Sequence, residues 1–427
     1  MTGSGRRYTL ISSDAHAGAS ILGYTPYLAK EFHDAFDAWA PTFRDAWDDV
    51  DAELSNGDDP NLRVGTSSFL APYNWDSDQR LEHQNSQGIA AEIIFPNTVP
   101  PFYPSGAVTA SAPTTEDEYS LRWAGVQAHN RWLLDFCDQA PGRRGGLAQV
   151  FLANVDDAIA EARWAKEAGL AGVLIPSDHT SQLVDLYEGR LDPFWAACCE
   201  LDFPVHRHAI AVTAPETPES GPATPAIGVH ETNLFFQRGI GHLILGGVFE
   251  RHPDLKFVFT ETGCIYLSMQ LRALDAEFQQ GRTKGSTGYP FFRHVAESSS
   301  LTPTEYFQRN CWVGASLMTS MDLGLRHQLG VDRIMWGADY PHHEGTFPYT
   351  DLALRVCFAD VPEDEVRAMT SLNAAEVYGF DLDKLQTIAD EIGPTVEEVA
   401  TPVSPEEFPD FSMSITISDG KQPLGVM

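Results

Sequence analysis

The feature that most restricts what this chain can fold into is a repeated alternation. Short apolar runs follow one another along the 427 residues, and segments of helical period separate most of them. Runs at 8–12, 90–95, 146–152, 171–175, 203–208, 256–260, 311–314 and 333–337 read as strands. Several are too evenly apolar for a sheet with one wet face, as expected of strands covered by helices. Between them, residues 156–168 form a helix capped by Asn154 and stopped by Gly169. Residues 191–201 turn Phe194, Trp195 and Cys198 toward a core, and 266–278 read as a further helix. Pro362 opens another, with Val366, Met369 and Leu372 on one face. About eight β/α repeats predict an α/β protein, a distorted TIM (β/α)8 barrel, in one domain over residues 1–393. Long insertions at about 17–87, 99–118, 210–226 and 280–305 are placed to cover the barrel's C-terminal face. A Pro- and Glu-rich tail, 394–427, is expected to wrap the surface or to be partly disordered.

In such a barrel, chemistry sits where strands end at their C-terminal side, and polar residues gather there. The first run leads into Ile11-Ser-Ser-Asp14-Ala-His16, the fifth is Pro204-Val-His206-Arg-His208, and the last leads into Asp339-Tyr-Pro-His342-His343-Glu344. Alternate strand residues point the same way, so Asp14 pairs with His16 and His206 with His208. Imidazole nitrogen with carboxylate oxygen suits Zn²⁺, Mn²⁺ or Fe²⁺, as one ion or two. Any one of these groups alone also fits a turn or a hydrogen-bonded core histidine; their joint placement favours a metal site. Glu261 ends the sixth run and is placed to accept a proton or to bind a second metal. His342, His343 and Glu344 are placed to orient ligands or touch substrate. Trp336, Trp312, Phe347 and Tyr349 read either as a pocket wall or as core.

Charge narrows the partners. A net charge of −32 repels nucleic acid and anionic lipid, which leaves a small molecule as the expected partner. No apolar run is long enough to span a membrane, and the first residues lack an apolar secretion segment, so the cytoplasm is expected. The six cysteines are scattered without a C-x-x-C and read as buried thiols.

Four stretches together carry a resemblance: Asp14-Ala-His16, Pro204-Val-His-Arg-His208, the segment from Gly246 to Gly263, and Trp336-Gly-Ala-Asp-Tyr-Pro-His-His-Glu-Gly345. With Ser371-Leu-Asn-Ala-Ala-Glu-Val-Tyr378, they make residues 8–380 similar to the amidohydrolase superfamily, in the branch of amidohydrolase 2 and aminocarboxymuconate-semialdehyde decarboxylase-like proteins. The resemblance implies a divalent metal held by Asp14, His16, a strand-five histidine and Asp339. His208 is preferred over His206 as the one nearer the strand end. It also implies a homodimer. Two departures stand out: the first strand carries Asp-x-His where those decarboxylases have His-x-His or Glu-x-His, and Glu261 stands where they keep a histidine. An ionised carboxylate cannot donate a proton. The leading expectation is therefore a metal-dependent hydrolase that activates water against an amide, lactone, ester or thioester carbonyl of a small, carbon-rich acid derivative. Asp339 or Glu261 would be the base, and His343, His206 or Glu261 would protonate the leaving group. The alternative is a metal-dependent non-oxidative decarboxylase; a non-catalytic binding barrel comes third.

Overall fold

The computed structural model describes residues 6–44, 72–97, 100–103, 113–176, 185–208, 227, 230 and 238–421. The insertion at 210–226 lies outside them, as do residues 45–71 and half of 99–118.

Eight parallel strands follow one another in chain order: β1 (Leu10–Ala17), β2 (Ile89–Pro96), β3 (Arg144–Gln149), β4 (Gly172–Leu174), β5 (Val205–His208), β6 (Phe257–Thr260), β7 (Cys311–Ala315) and β8 (Ile334–Trp336). Each predicted run contains or overlaps one of them. Between β8 and β1 the contact is a set of single bonds rather than a ladder. Asp339 N–H donates to Asp14 O at 2.9 Å, Ser13 Oγ to Met335 O at 3.0 Å, and Ala338 N–H to Ser12 Oγ at 2.8 Å. This seam closes the sheet into a TIM barrel.

The apolar core has two parts. One lies between strands and outer helices, where helix Asp192–Glu200 buries Phe194, Trp195 and Cys198 as expected. The other fills the barrel near the strand starts, with Ile11, Val258, Trp312 and Met335 packed against the C-terminal helices. Trp312 is therefore core and not pocket wall. Helix Val155–Ala168 has the predicted ends: Asn154 accepts from the amides of Asp156 and Asp157, and Gly169 takes the left-handed conformation at φ 104°.

Two expectations need correction, and of the two readings of the tail the structure shows one. Residues 280–305 are not a loop: helix Cys264–Arg282 runs into them, and Tyr289–Ser298 forms a helix packed on it. Leu372 leaves the buried face shared by Val366 and Met369 and is 47% exposed. A π-helical turn, Ala368–Leu372, shifts the helical register there. Residues 394–421 are folded: helix Ile415–Lys421 buries Ile417 against Leu352 and Ala353, and Thr416 Oγ1 donates to Met318 O at 2.9 Å. All six cysteines are free thiols, five of them buried. Among the described residues, no helix is long and apolar enough to cross a membrane.

Two buried histidines tie stability to pH. Burial pushes His129, beside Tyr24 Oη at 2.9 Å, and His206 down to about 3. The unfolded chain takes up protons at both near pH 6.5, while the folded chain does so only near 3. The contribution of these two histidines should be full above pH 6.5 and fall as the pH drops toward 3, by about 1.4 kcal/mol per pH unit for each. Urea unfolding at pH 7 and pH 5 measures this; a slope unchanged in His129→Gln would remove that residue from the account.

Candidate metal centre

A local irregularity turns the first pair of side chains into the barrel. Leu10 belongs to the outer core and Ile11 to the inner one. Regular alternation would send Ser13 and Ala15 inward and Asp14 outward. Between Ser12 and Ala15, however, β1 advances three residues while β2 advances from Glu92 to Ile94, only two. This bulge adds one residue and exchanges the faces, so Asp14 and His16 join the interior. On β5 the alternation is regular, and His206 and His208 both point inward. Glu261 follows Thr260, which lies on the same strand face as the inward Val258. Alternation would turn Glu261 toward the helices, but its left-handed backbone at φ 61° redirects it. Asp339 is left-handed as well, at φ 56°. Positive φ at a non-glycine residue is costly and is held here by surrounding bonds, such as Glu261 N–H to Gly314 O at 2.9 Å.

Asp14, His16, His208 and Asp339 converge. His16 Nε2 lies 3.4 Å from Asp14 Oδ1 and 3.1 Å from Asp339 Oδ1, and His208 Nε2 lies 3.3 Å from Asp14 Oδ1. Phe95 packs against both imidazoles, its ring 4.7 Å from that of His208 and 6.0 Å from that of His16. Glu261 Oε2 is 3.5 Å from His208 Nδ1 and has 17% of its side chain exposed. Among the described residues three donor groups emerge, each within 4.8 Å: Asp14, His16, His208; His16, Asp339, His342; and Glu261, Asp339, Glu344.

The other expected residues fall elsewhere. His206 is fully buried one layer below, with Nδ1 donating to Val173 O at 3.2 Å and Nε2 accepting from Tyr378 Oη at 3.0 Å. Both nitrogens are engaged, and it is not among the three donor groups. His343 is buried but is not among the three donor groups. Its neighbour His342 is: Nδ1 lies 3.0 Å from Asp339 Oδ1, Nε2 lies 2.9 Å from Asn97 Oδ1, and the ring stacks on His16 at 4.0 Å. The turn that closes with His342 N–H to Asp339 O at 2.9 Å selects residue 342 over 343. Asn97 had no sequence signal. Glu344 did, as a member of the strand-eight loop.

The electrostatics suit a cation. Burial works to raise the Asp14 carboxyl, but His208 and then His16 outweigh it and hold it well below the usual carboxylate range. For Asp339, burial is likewise outweighed by His342 and His16, and its carboxyl is lowered. Burial opposes charge on His16 too, yet Asp14 and Asp339 hold it well above its ordinary value. Glu261 moves the other way: burial first, then Asp339, Asp14 and Glu344, raise it well above the ordinary value. His16 Nε2 and both oxygens of Asp339 are buried without an aligned hydrogen bond. Their contacts are close but poorly aligned for hydrogen bonding, and a divalent ion would satisfy such converging nitrogen and oxygen donors.

A family model described as amidohydrolase matches residues 96–380, about two thirds of the chain. The chain belongs to the amidohydrolase family. The match includes His208, Glu261 and Asp339, while Asp14 and His16 precede it. Among solved structures, an amidohydrolase from Mycobacterium avium subsp. paratuberculosis K-10 superimposes on this amidohydrolase with a TM-score of 0.60 at 21% identity, covering 88% of this chain and 99% of that one. The 5-carboxyvanillate decarboxylase of Novosphingobium aromaticivorans DSM 12444, complexed with manganese and 4-hydroxy-3-methoxy-5-nitrobenzoic acid, gives 0.60 at 20%, covering 88% and 98%. The 2,6-dihydroxybenzoate decarboxylase from Rhizobium gives 0.55 at 17%, covering 88% and 99%. At such identities the likeness establishes the shared barrel. No functionally curated protein matches the chain.

A metal ligand must be a neutral imidazole or a carboxylate, so a cation bound through His16 would compete with the proton that Asp14 and Asp339 favour there. Mn²⁺ affinity should therefore rise with pH up to the raised value of His16, by about tenfold per unit for one displaced proton. Calorimetric titration at pH 6 and pH 8 checks it. His208→Ala should lose bound metal by elemental analysis, and full retention would remove His208 from the ligand set.

Proposed function

We propose that this amidohydrolase is a metal-dependent, non-oxidative decarboxylase of a small, carbon-rich organic acid, with Asp14, His16, His208 and Asp339 as the metal ligands. This reverses the order expected from sequence, where the carboxylate at 261 argued for hydrolysis. The observation that carries the reversal is the setting of Glu261. Burial first, then Asp339, Asp14 and Glu344, raise its carboxyl well above the ordinary value and so favour the protonated form. A protonated carboxyl is a donor, so Glu261 can do what the histidine at this position would do. The decarboxylases among the solved structures of this fold support the same reading.

Hydrolysis asks for a base, and neither candidate suits. Asp339 is lowered by His342 and His16, which makes it a weaker base, and Glu261 is raised well above its ordinary value, which favours the acid form over the base. A bound divalent ion would fix the substrate's carboxylate or adjacent hydroxyl and draw electron density from the bond that breaks. Glu261 then gives its proton to the carbon that loses carbon dioxide. The pair of the broken C–C bond becomes the new C–H bond. The Glu261 carboxylate left behind faces His208 Nδ1 at 3.5 Å and regains a proton from solvent at the barrel mouth. Asp339 and Asp14 stay ionised throughout and hold the imidazoles in place.

Hydroxylated aromatic acids, including 2,6-dihydroxybenzoate and 5-carboxyvanillate, incubated with the Mn²⁺-loaded enzyme are the first probes. In D₂O the product should carry one deuterium at the former carboxyl carbon, with carbon dioxide or bicarbonate released. Label from ¹⁸O-water appearing in a product carboxylate would instead establish hydrolysis. Glu261→Gln should lower kcat by about 10²–10⁴-fold with little change in Tm. A variant that unfolds readily but turns over normally would make Glu261 structural.

A further inference from the structure

Asp14 has two carboxylate oxygens, and only one faces the imidazoles. Oδ1 lies 3.3 Å from His208 Nε2 and 3.4 Å from His16 Nε2. Oδ2 accepts a short hydrogen bond from Ser316 Oγ, on the residue after β7. Both side chains are buried, Asp14 fully and Ser316 to within 2%. We infer that Ser316 is a positioning residue for the metal centre: by holding Oδ2, it presents Oδ1 as the single ligand atom of Asp14. The inference rests on Asp14 being a metal ligand.

Two features of the surrounding chain keep Ser316 in place. Gly337 lies against it: a Cβ there would stand 2.7 Å from Ser316 Oγ and 2.9 Å from Asp14 Cβ, so only glycine leaves room for the contact. After Ser316 the backbone passes through Leu317 in the left-handed region, φ 55°. Met318 O is then tied down by Thr416 Oγ1 at 2.9 Å and Cys357 Sγ at 3.3 Å. The serine thus sits between a strand end and a fixed turn, not on a free loop. A carboxylate that could rotate about its Cβ–Cγ bond would offer either oxygen, or both, and would lose the orientation that pairs Oδ1 with two histidines. Hydrogen bonds to ligating carboxylates act in this way, and their loss weakens metal binding by about 10–100-fold.

Ser13 supplies a control on the same seam. It is buried and its hydroxyl donates to Met335 O at 3.0 Å, without touching Asp14's carboxylate. Mn²⁺ dissociation constants are measured for the full-length wild type and for Ser316→Ala, Ser316→Cys, Gly337→Ala and Ser13→Ala, with Tm of the metal-free proteins alongside. Ser316→Ala is expected to bind Mn²⁺ about 10–100-fold more weakly. The cysteine variant, with a weaker donor, should lie between it and wild type. Gly337→Ala should weaken binding as well, and Ser13→Ala should bind as wild type does. Wild-type affinity in Ser316→Ala would overturn the inference, as would an equal loss in Ser13→Ala, which would indicate general loosening of the seam. If the alanine variant does not fold, the cysteine variant decides: wild-type affinity there overturns it too. Absence of Mn²⁺ binding by the wild type would be a different result, overturning the metal-centre reading itself.

Discussion

Two fully buried carboxylates facing one imidazole set the terms for this structure. Asp14 and Asp339 come from the first and last walls of the barrel and both lie within 3.4 Å of His16 Nε2. Ionised carboxylates out of water are costly unless positive charge or hydrogen-bond donors answer them. His16, His208 and His342 answer part of the charge, and Ser316 caps one oxygen of Asp14. Both oxygens of Asp339 remain without an aligned donor. The centre is arranged for a cation, and the amidohydrolase barrel around it holds like charges at distances that they would not otherwise keep.

The seam between β1 and β8 serves both closure and chemistry. Its bonds run from Asp339 N–H to Asp14 O and from Ala338 N–H to Ser12 Oγ, the same residues that carry or flank the ligands. A regular ladder would have fixed the alternation and left Asp14 facing the helices. The bulge in β1 and the left-handed residues Asp339 and Glu261 give up regular pairing and aim three carboxylates into the mouth. The C-terminal tail supports this region: Ile415 N–H donates to Glu344 O at 3.1 Å, and Thr416 holds Met318.

The same electrostatics separate two chemistries that share a ligand set. With Asp339 lowered by its histidines and Glu261 raised by burial, the first is the weaker base and the second leans toward its acid form. Protonating a carbanion needs the second; activating water needs a better version of the first. Residue type at position 261 argued one way, and its environment argues the other.

The sequence by itself determined the barrel, the number and order of its strands, and the residues Asp14, His16, His208, Glu261 and Asp339 as those standing at strand ends. Apolar period and caps are local signals, and a β/α repeat leaves few topologies open. The sequence ranked His208 above His206 only by its place nearer the strand end and did not separate His342 from His343, because residue type says nothing of depth or of how a turn closes. It did not reveal Asn97 or Ser316, whose roles arise from contacts across 245 and 302 residues of chain. Only the tertiary structure decided the facing of Asp14, through one extra residue in β1, and the upward shift of the Glu261 carboxyl, through burial among like charges. Both depend on what surrounds a residue in space, and that is set only when the barrel closes.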